Sequence, residues 1–225
     1  MKIGLIIAMD KEFSDLLSLL SDVTARPDGV PFAYYTAKYK QIEVVAVKSG
    51  IGEIAAAAAT QFLITSFGVE TVINMGICGA LNANFKKLDL AVVDKIVHYQ
   101  FDTSAVDSVK VGQYPDCADR FLVTDRTLFE LIKSIDGEVK PAVCASADLF
   151  VAKKQDKDYL AREFGADVCE MESAGILLTC KRSGVPCAFL KSVSDDADGG
   201  YFEEFCKKAS ERHVALLIKL LDRLQ

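Results

Sequence analysis

Short apolar runs alternate along the chain with longer stretches in which apolar positions recur every three or four residues. Residues 2–8 are almost wholly apolar and predict a buried strand. Residues 10–20 return to the helical period, with Asp10 placed to cap it. Residues 32–39 and 42–48, joined by Lys40 and Gln41, predict a hairpin. The alanine-rich stretch 52–67 predicts a helix closed by Gly68. Further strands are predicted at 71–76, 90–99, 139–147, 167–170 and 186–194, and further helices at 125–135, 154–164, 171–182 and 201–224. The last helix carries Phe202, Phe205, Ala209, Leu216, Leu217, Leu220 and Leu224 on one stripe. Residues 100–121 show no clear period and contain Gly112, Pro115 and Asp116. An unstructured connection that long is often functional.

This alternation predicts an α/β fold. A single domain spanning 1–225 holds a central mixed, largely parallel sheet, flanked by helices in a three-layer arrangement. In such sheets ligands bind outside the carboxyl ends of the strands. Four stretches fall at predicted strand ends: 9–12, 76–79, 170–172 and 194–195. Their convergence marks the candidate site.

Composition narrows the function. The chain has 225 residues, 51% of them hydrophobic, which is enough for a sizeable core. A mean hydropathy of +0.21 fits a buried sheet and leaves room for apolar surface covered by a second subunit. The net charge is −6, with 26 basic and 32 acidic residues, and no basic run exceeds two residues. A nucleic-acid partner is therefore not expected. The opening apolar run is about seven residues long and ends in acids, so it reads as a strand, not as a signal peptide or membrane span. Seven cysteines without a C-x-x-C spacing read as buried free thiols in a reducing cytoplasm. With only His98 and His213 as histidines, a His/Cys zinc site is not expected.

Two segments carry candidate acid chemistry. In residues 193–200 an apolar strand runs into Asp195, Asp196 and Asp198 and then two glycines. This is either a solvated acidic loop or a strand end that holds one carboxyl group as a general acid. In residues 168–175 Glu170 and Glu172 lie two apart and would share one face of an extended backbone. Acids in a first helical turn also suit the helix dipole, so spacing alone leaves the pair interchangeable. Residues 76–80 read as a glycine-rich turn after a strand. They lack the G-K-[ST] of a P-loop.

Taken together and in this order, the segments resemble the purine nucleoside phosphorylase superfamily, and within it the 5′-methylthioadenosine/S-adenosylhomocysteine nucleosidases. The resemblance is carried by Met1-Lys2-Ile3-Gly4 with Ala8-Met9-Asp10-Lys11-Glu12, by Lys48-Ser49-Gly50-Ile51-Gly52 and by Asn74-Met75-Gly76-Ile77-Cys78-Gly79. It continues in Ser146-Ala147-Asp148-Leu149-Phe150-Val151, Glu170-Met171-Glu172 and Val193-Ser194-Asp195. It implies a hydrolase that releases adenine from adenine nucleosides without a metal or cofactor. Glu12 and Asp195 would be catalytic, the first activating water and the second protonating adenine N7. Glu172, with the Met171 backbone, would bind the ribose hydroxyls. Phe150 would stack on adenine and the Val151 backbone would meet its edge. Gly79, Ile77 and Ser194 would complete the binding surface, with Met9, Ile51 and Phe202 around the 5′ substituent. The resemblance also implies a homodimer in which a loop near Val106 of the partner closes the site.

Three positions depart from that pattern. Ile77 stands where the family carries a small hydroxyl residue, Lys154 stands where it has a small polar one, and the 196–201 loop is short. Ile77 offers no hydrogen bond and crowds an anion, and no arginine lies in the early glycine turns. Hydrolysis is expected over phosphorolysis. The alternatives are a phosphorylase and a catalytically silent nucleoside-binding homologue.

Overall fold

The computed structural model describes residues 1–9, 16–28, 31–195 and 202–225, the side chains of residue 195 and of residues 202–207 excepted. Among the described residues, ten strands and five helices are laid out as β1 (Lys2–Ile7), β2 (Ser21–Arg26), β3 (Tyr34–Tyr39), β4 (Ile42–Lys48), α1 (Glu53–Phe67), β5 (Thr71–Ala80), β6 (Leu90–His98), β7 (Phe121–Val123), α2 (Arg126–Ile135), β8 (Lys140–Ser146), α3 (Lys154–Phe164), β9 (Val168–Glu170), α4 (Ser173–Ser183), β10 (Cys187–Asp195) and α5 (Phe202–Arg223). The helix expected over 10–20 is described only from Leu16, and its cap Asp10 lies outside the described residues.

The sheet is mixed. β1 pairs in parallel with β4 and β5, β5 with β10, β8 with β6 and β9. The β2–β3–β4 meander and the β10–β6, β5–β9 and β6–β7 pairs are antiparallel. Because β10 pairs with both β5 and β6, and β9 with both β8 and β5, five strands close into a ring, β5–β10–β6–β8–β9. Closure removes edges from this half of the sheet, while β1, β4, β3 and β2 extend it outward.

Helices cover both faces because the strands alternate. In β4, Val45 and Val47 pack with Ala56, Ala59 and Leu63 of α1 and with Ala174 and Leu177 of α4. Val44 and Ala46 pack in the opposite core with Leu128, Phe129 and Ile132 of α2 and Leu217 and Leu220 of α5. Asp125 caps α2 by accepting the Leu128 N–H at 2.9 Å. Among the described residues no helix is long and apolar enough to cross a membrane.

Three elements differ from the sequence expectation. β2 has six exposed residues and so lacks the apolar alternation that betrays a strand. β7 is three residues long. Residues 76–80 are not a turn: β5 runs on through them to Ala80, with Gly79 and Ala80 paired to β9 and the same stretch paired to β10. Small side chains allow this double pairing. A Cβ at Gly79 would stand 3.3 Å from the Cys169 sulfur.

Candidate active site

A cavity of about 240 Å³ opens where β1 and β10 end, with the middle of β5 as its floor and the stretches after β8 and β9 as its sides. Met9, Ile51, Ile77, Gly79, Phe150, Val151, Met171, Glu172 and Ser194 line it. The structure thus brings together nine of the ten positions named for substrate binding. The side chain of the tenth, Phe202, is outside the described set, as is all of Glu12. Asp195 closes β10 opposite Gly79, after a register shift that follows Val193. Phe150 and Ile51 are each 61% exposed and frame the open mouth.

The two glutamates that spacing left interchangeable have different jobs. β9 ends at Glu170, and the chain bends before α4, so they share no strand face. Glu170 turns inward. It accepts from the N–H groups of Glu172 and Ser173 and from the Ser173 hydroxyl, and so caps α4. It also meets the Lys191 ammonium at 2.9 Å, with both side chains almost fully buried. Burial opposes its ionisation, but Lys191 and the hydrogen bonds from Ser146 and Ser173 outweigh this and hold Glu170 below the usual carboxylate range. Lys191 is likewise penalised by burial and carried well above the ordinary lysine value by Glu170 and Glu172. Glu172 faces the cavity, and its Oε1 accepts the Gly52 N–H at 3.0 Å. Gly52 has φ 104, and a Cβ there would collide with the Asp148 carboxylate. Only glycine presents its N–H in this way.

Lys191 and Glu53 are site features that the sequence reading passed over. Lys191 sits inside an apolar run that reads as a plain buried strand, although a lysine at that depth signals a partner. Its register partner is Gly76, which places the ammonium at the cavity floor. Glu53 reads as an ordinary first-turn acid, yet it is 5% exposed.

The remaining chemistry is constrained. Cys78 and Cys169 line the cavity, and burial pushes both thiols up, so at neutral pH neither is a thiolate nucleophile. His213 is a core residue bonded to Ser192, with its ring held neutral by burial. His98 bonds the Tyr114 hydroxyl at 2.7 Å, and neither histidine lines the cavity. Among the described residues no three His, Cys, Asp or Glu side chains are grouped to hold a metal. Asn74 on the floor donates to the Ile6 carbonyl, while its Oδ1 has no partner among the described residues.

A closed, mixed sheet whose strand ends gather carboxylates around an apolar cavity defines an α/β protein with a built small-molecule site. The chain belongs to the phosphorylase superfamily, which it matches over residues 2–222. It is 35% identical to an aminodeoxyfutalosine nucleosidase of Helicobacter pylori strain J99, over 99% of each chain. It is 31% identical to a 5′-methylthioadenosine/S-adenosylhomocysteine nucleosidase of Halalkalibacterium halodurans, again over 99% of each. Its fold superposes with a TM-score of 0.91 on the Helicobacter pylori 5′-methylthioadenosine/S-adenosylhomocysteine nucleosidase bound to butyl-thio-DADMe-Immucillin-A. That match has 33% identity and covers 99% of this chain and 98% of the other.

Proposed function

We propose that this protein is a nucleosidase that uses water to cut the N-ribosidic bond of 5′-methylthioadenosine, S-adenosylhomocysteine and related adenine nucleosides, releasing adenine. One observation carries the choice of water over phosphate. Among the described residues, Lys191 is the sole basic side chain lining the cavity, and it is already neutralised by Glu170. A phosphate dianion on that floor would meet Ile77 and an occupied lysine, whereas phosphate binding calls for paired positive donors.

The residue types suit the reaction. Adenine leaves poorly as an anion, and Asp195 at the end of β10 is assigned to protonate N7. The ribosyl group becomes oxocarbenium-like in the transition state. Glu172 is assigned to the ribose hydroxyls, with the Met171 backbone, and Glu12 to the attacking water, by analogy with glycoside hydrolysis. Phe150 offers the stacking face and Val151 the edge contact. Met9, Ile51 and Phe202 are assigned to the 5′ substituent. The chemistry uses no cofactor. Because one relative is an aminodeoxyfutalosine nucleosidase, aminodeoxyfutalosine belongs in the substrate set.

We also infer a homodimer. Ile51, Phe150 and Leu149 at the mouth, Ile54 in the first turn of α1 and Val106 in the long loop are 44–85% exposed, an apolar set that a second subunit would cover. The Val106 loop of one subunit is assigned to close the site of the other. A cytoplasmic location is supported by the six described cysteines, all free thiols.

Purified protein is expected to release adenine from 5′-methylthioadenosine in phosphate-free buffer. Asp195→Asn is expected to cut turnover by roughly 10²–10⁴-fold while substrate still binds. Full activity in that variant removes Asp195 from the acid role.

A further inference from the structure

Glu53 opens α1, yet its side chain points into the protein. Its Oε1 lies 2.5 Å from the Ser146 hydroxyl at the end of β8, and its Oε2 accepts the Gly175 N–H in the first turn of α4. Its own backbone N–H donates to Asp148 at 2.7 Å. The residue just before it, Gly52, supplies the N–H that holds Glu172. A Cβ at position 175 would overlap the Glu53 carbonyl, so α4 can come this close only as glycine. Glu53 therefore joins three elements at the point from which the ribose-binding carboxylate is held.

We propose that Glu53 is a positioning residue: it locks the first turn of α1 to β8 and α4, so that the Gly52 N–H keeps the Glu172 carboxylate aimed at the ribose. The role of Glu172 rests on the nucleosidase reading above. The contact itself does not.

Proton bookkeeping fixes the state in which the clamp works. The Ser146 hydroxyl has one hydrogen and stands between two carboxyl groups, Glu53 and Glu170. Its oxygen also accepts the Ala174 N–H. Glu170 is ionised against Lys191, and a second buried carboxylate beside it is disfavoured, so Glu53 brings a hydrogen of its own to the short contact with Ser146, whose hydroxyl can accept as well as donate. The neutral acid then donates to Ser146 through one oxygen and accepts from Gly175 through the other. The groups around it agree. Glu170 on β9 and Glu172 beyond it both disfavour a further charge, Asp148 faces its backbone, and the phenols of Tyr99, just past β6, and Tyr114, in the long loop, feel its charge. Lys191 reaches this group through Glu170. Burial first, then Glu170, push the Glu53 carboxyl up to about 8, against the hydrogen bonds that Ser146 and Gly175 offer its ionised form. Above that pH Glu53 becomes one more negative charge beside Glu170 and Glu172, and the lock opposes itself.

The test compares wild type with Glu53→Gln, which presents the donor and acceptor of the neutral acid at every pH. Two quantities are read across roughly pH 6 to 9: kcat and KM for adenine release, and calorimetric affinity for a non-hydrolysable 5′-methylthio adenine nucleoside. In wild type, affinity is expected to fall above pH 8, approaching about tenfold per pH unit, with KM rising and kcat little changed. Glu53→Gln is expected to lose that fall. The same alkaline fall in Glu53→Gln, or a fall confined to kcat, overturns the proposal. Should Glu53→Gln not fold, Ser146→Ala is read instead. Removing the bridging hydroxyl is expected to move the alkaline fall, and an unmoved profile overturns the proposal. Analogue binding without any adenine release sinks the nucleosidase reading alone and leaves the affinity profile to judge Glu53.

Discussion

Lys191 is 1% exposed and is ion-paired with the equally buried Glu170. Removing one member of such a pair leaves the other charged and buried. Lys191→Met is therefore expected to lose about 3–5 kcal/mol in denaturant unfolding, and an unchanged midpoint would show that Glu170 is compensated elsewhere. Glu53 gives a second measurable consequence. Its carboxyl is raised in the folded state relative to the unfolded chain, so the folded state holds the extra proton between these two values. Its contribution is complete below about pH 4.5 and declines as pH rises toward about 8, at up to ~1.4 kcal/mol per pH unit. Glu53→Gln should flatten that part of the stability–pH curve, and an identical slope in both proteins would assign it to other groups. Little of this is visible in sequence. Glu170 and Glu172 have the same spacing whichever one turns inward, and only the bend after β9 separates them. Glu53 follows a glycine at a helix start, where an acid needs no special reason. Its burial is a tertiary fact, set by β8 and α4.

At the scale of elements, α1 and α4 meet at Gly175. Gly175→Ala would force α4 away from the Glu53 carbonyl and is expected to destabilise by about 1–3 kcal/mol, despite the better helix propensity of alanine. A stability gain would mean that the two helices are not held as described. The order of strands and helices was legible, because long apolar runs and helical periods rarely mislead when they alternate cleanly. Lys154–Phe164 falls where the sequence pattern puts it, and the helix expected from Asp125 begins at Arg126 with Asp125 as its cap. What was not legible has a physical cause in each instance. β2 is exposed on all six residues, so pairing to β3 is its sole strand signal. The glycines of β5 suggest a turn until β9 and β10 are known to pair on either side of them.

For the whole molecule, the closed ring of strands sets where the site lies, and the apolar set around its mouth is the surface on which the proposed dimer rests. Ile54 is 81% exposed on α1. Burying a residue of this size contributes roughly 1.5–3 kcal/mol, and it would be buried twice in a symmetric pair. Light scattering is expected to give the mass of two chains, and Ile54→Glu is expected to shift the population toward one. A wild-type monomer at micromolar concentration would remove the partner's Val106 loop from the site. The α/β layout and most of the cavity wall could be read from strand ends and the family resemblance, whereas the ring closure and the Lys191–Glu170 floor could not, since both arise from β10 pairing with β5 and β6 while β9 pairs with β5 and β8. That occupied lysine is also why water, not phosphate, is assigned as nucleophile. The direct measurement is to incubate the protein with 5′-methylthioadenosine, with and without phosphate, and to identify the sugar product. Adenine with free 5-methylthioribose, at a rate that phosphate does not change, is the expected result. A sugar 1-phosphate, or no adenine under either condition, would contradict it.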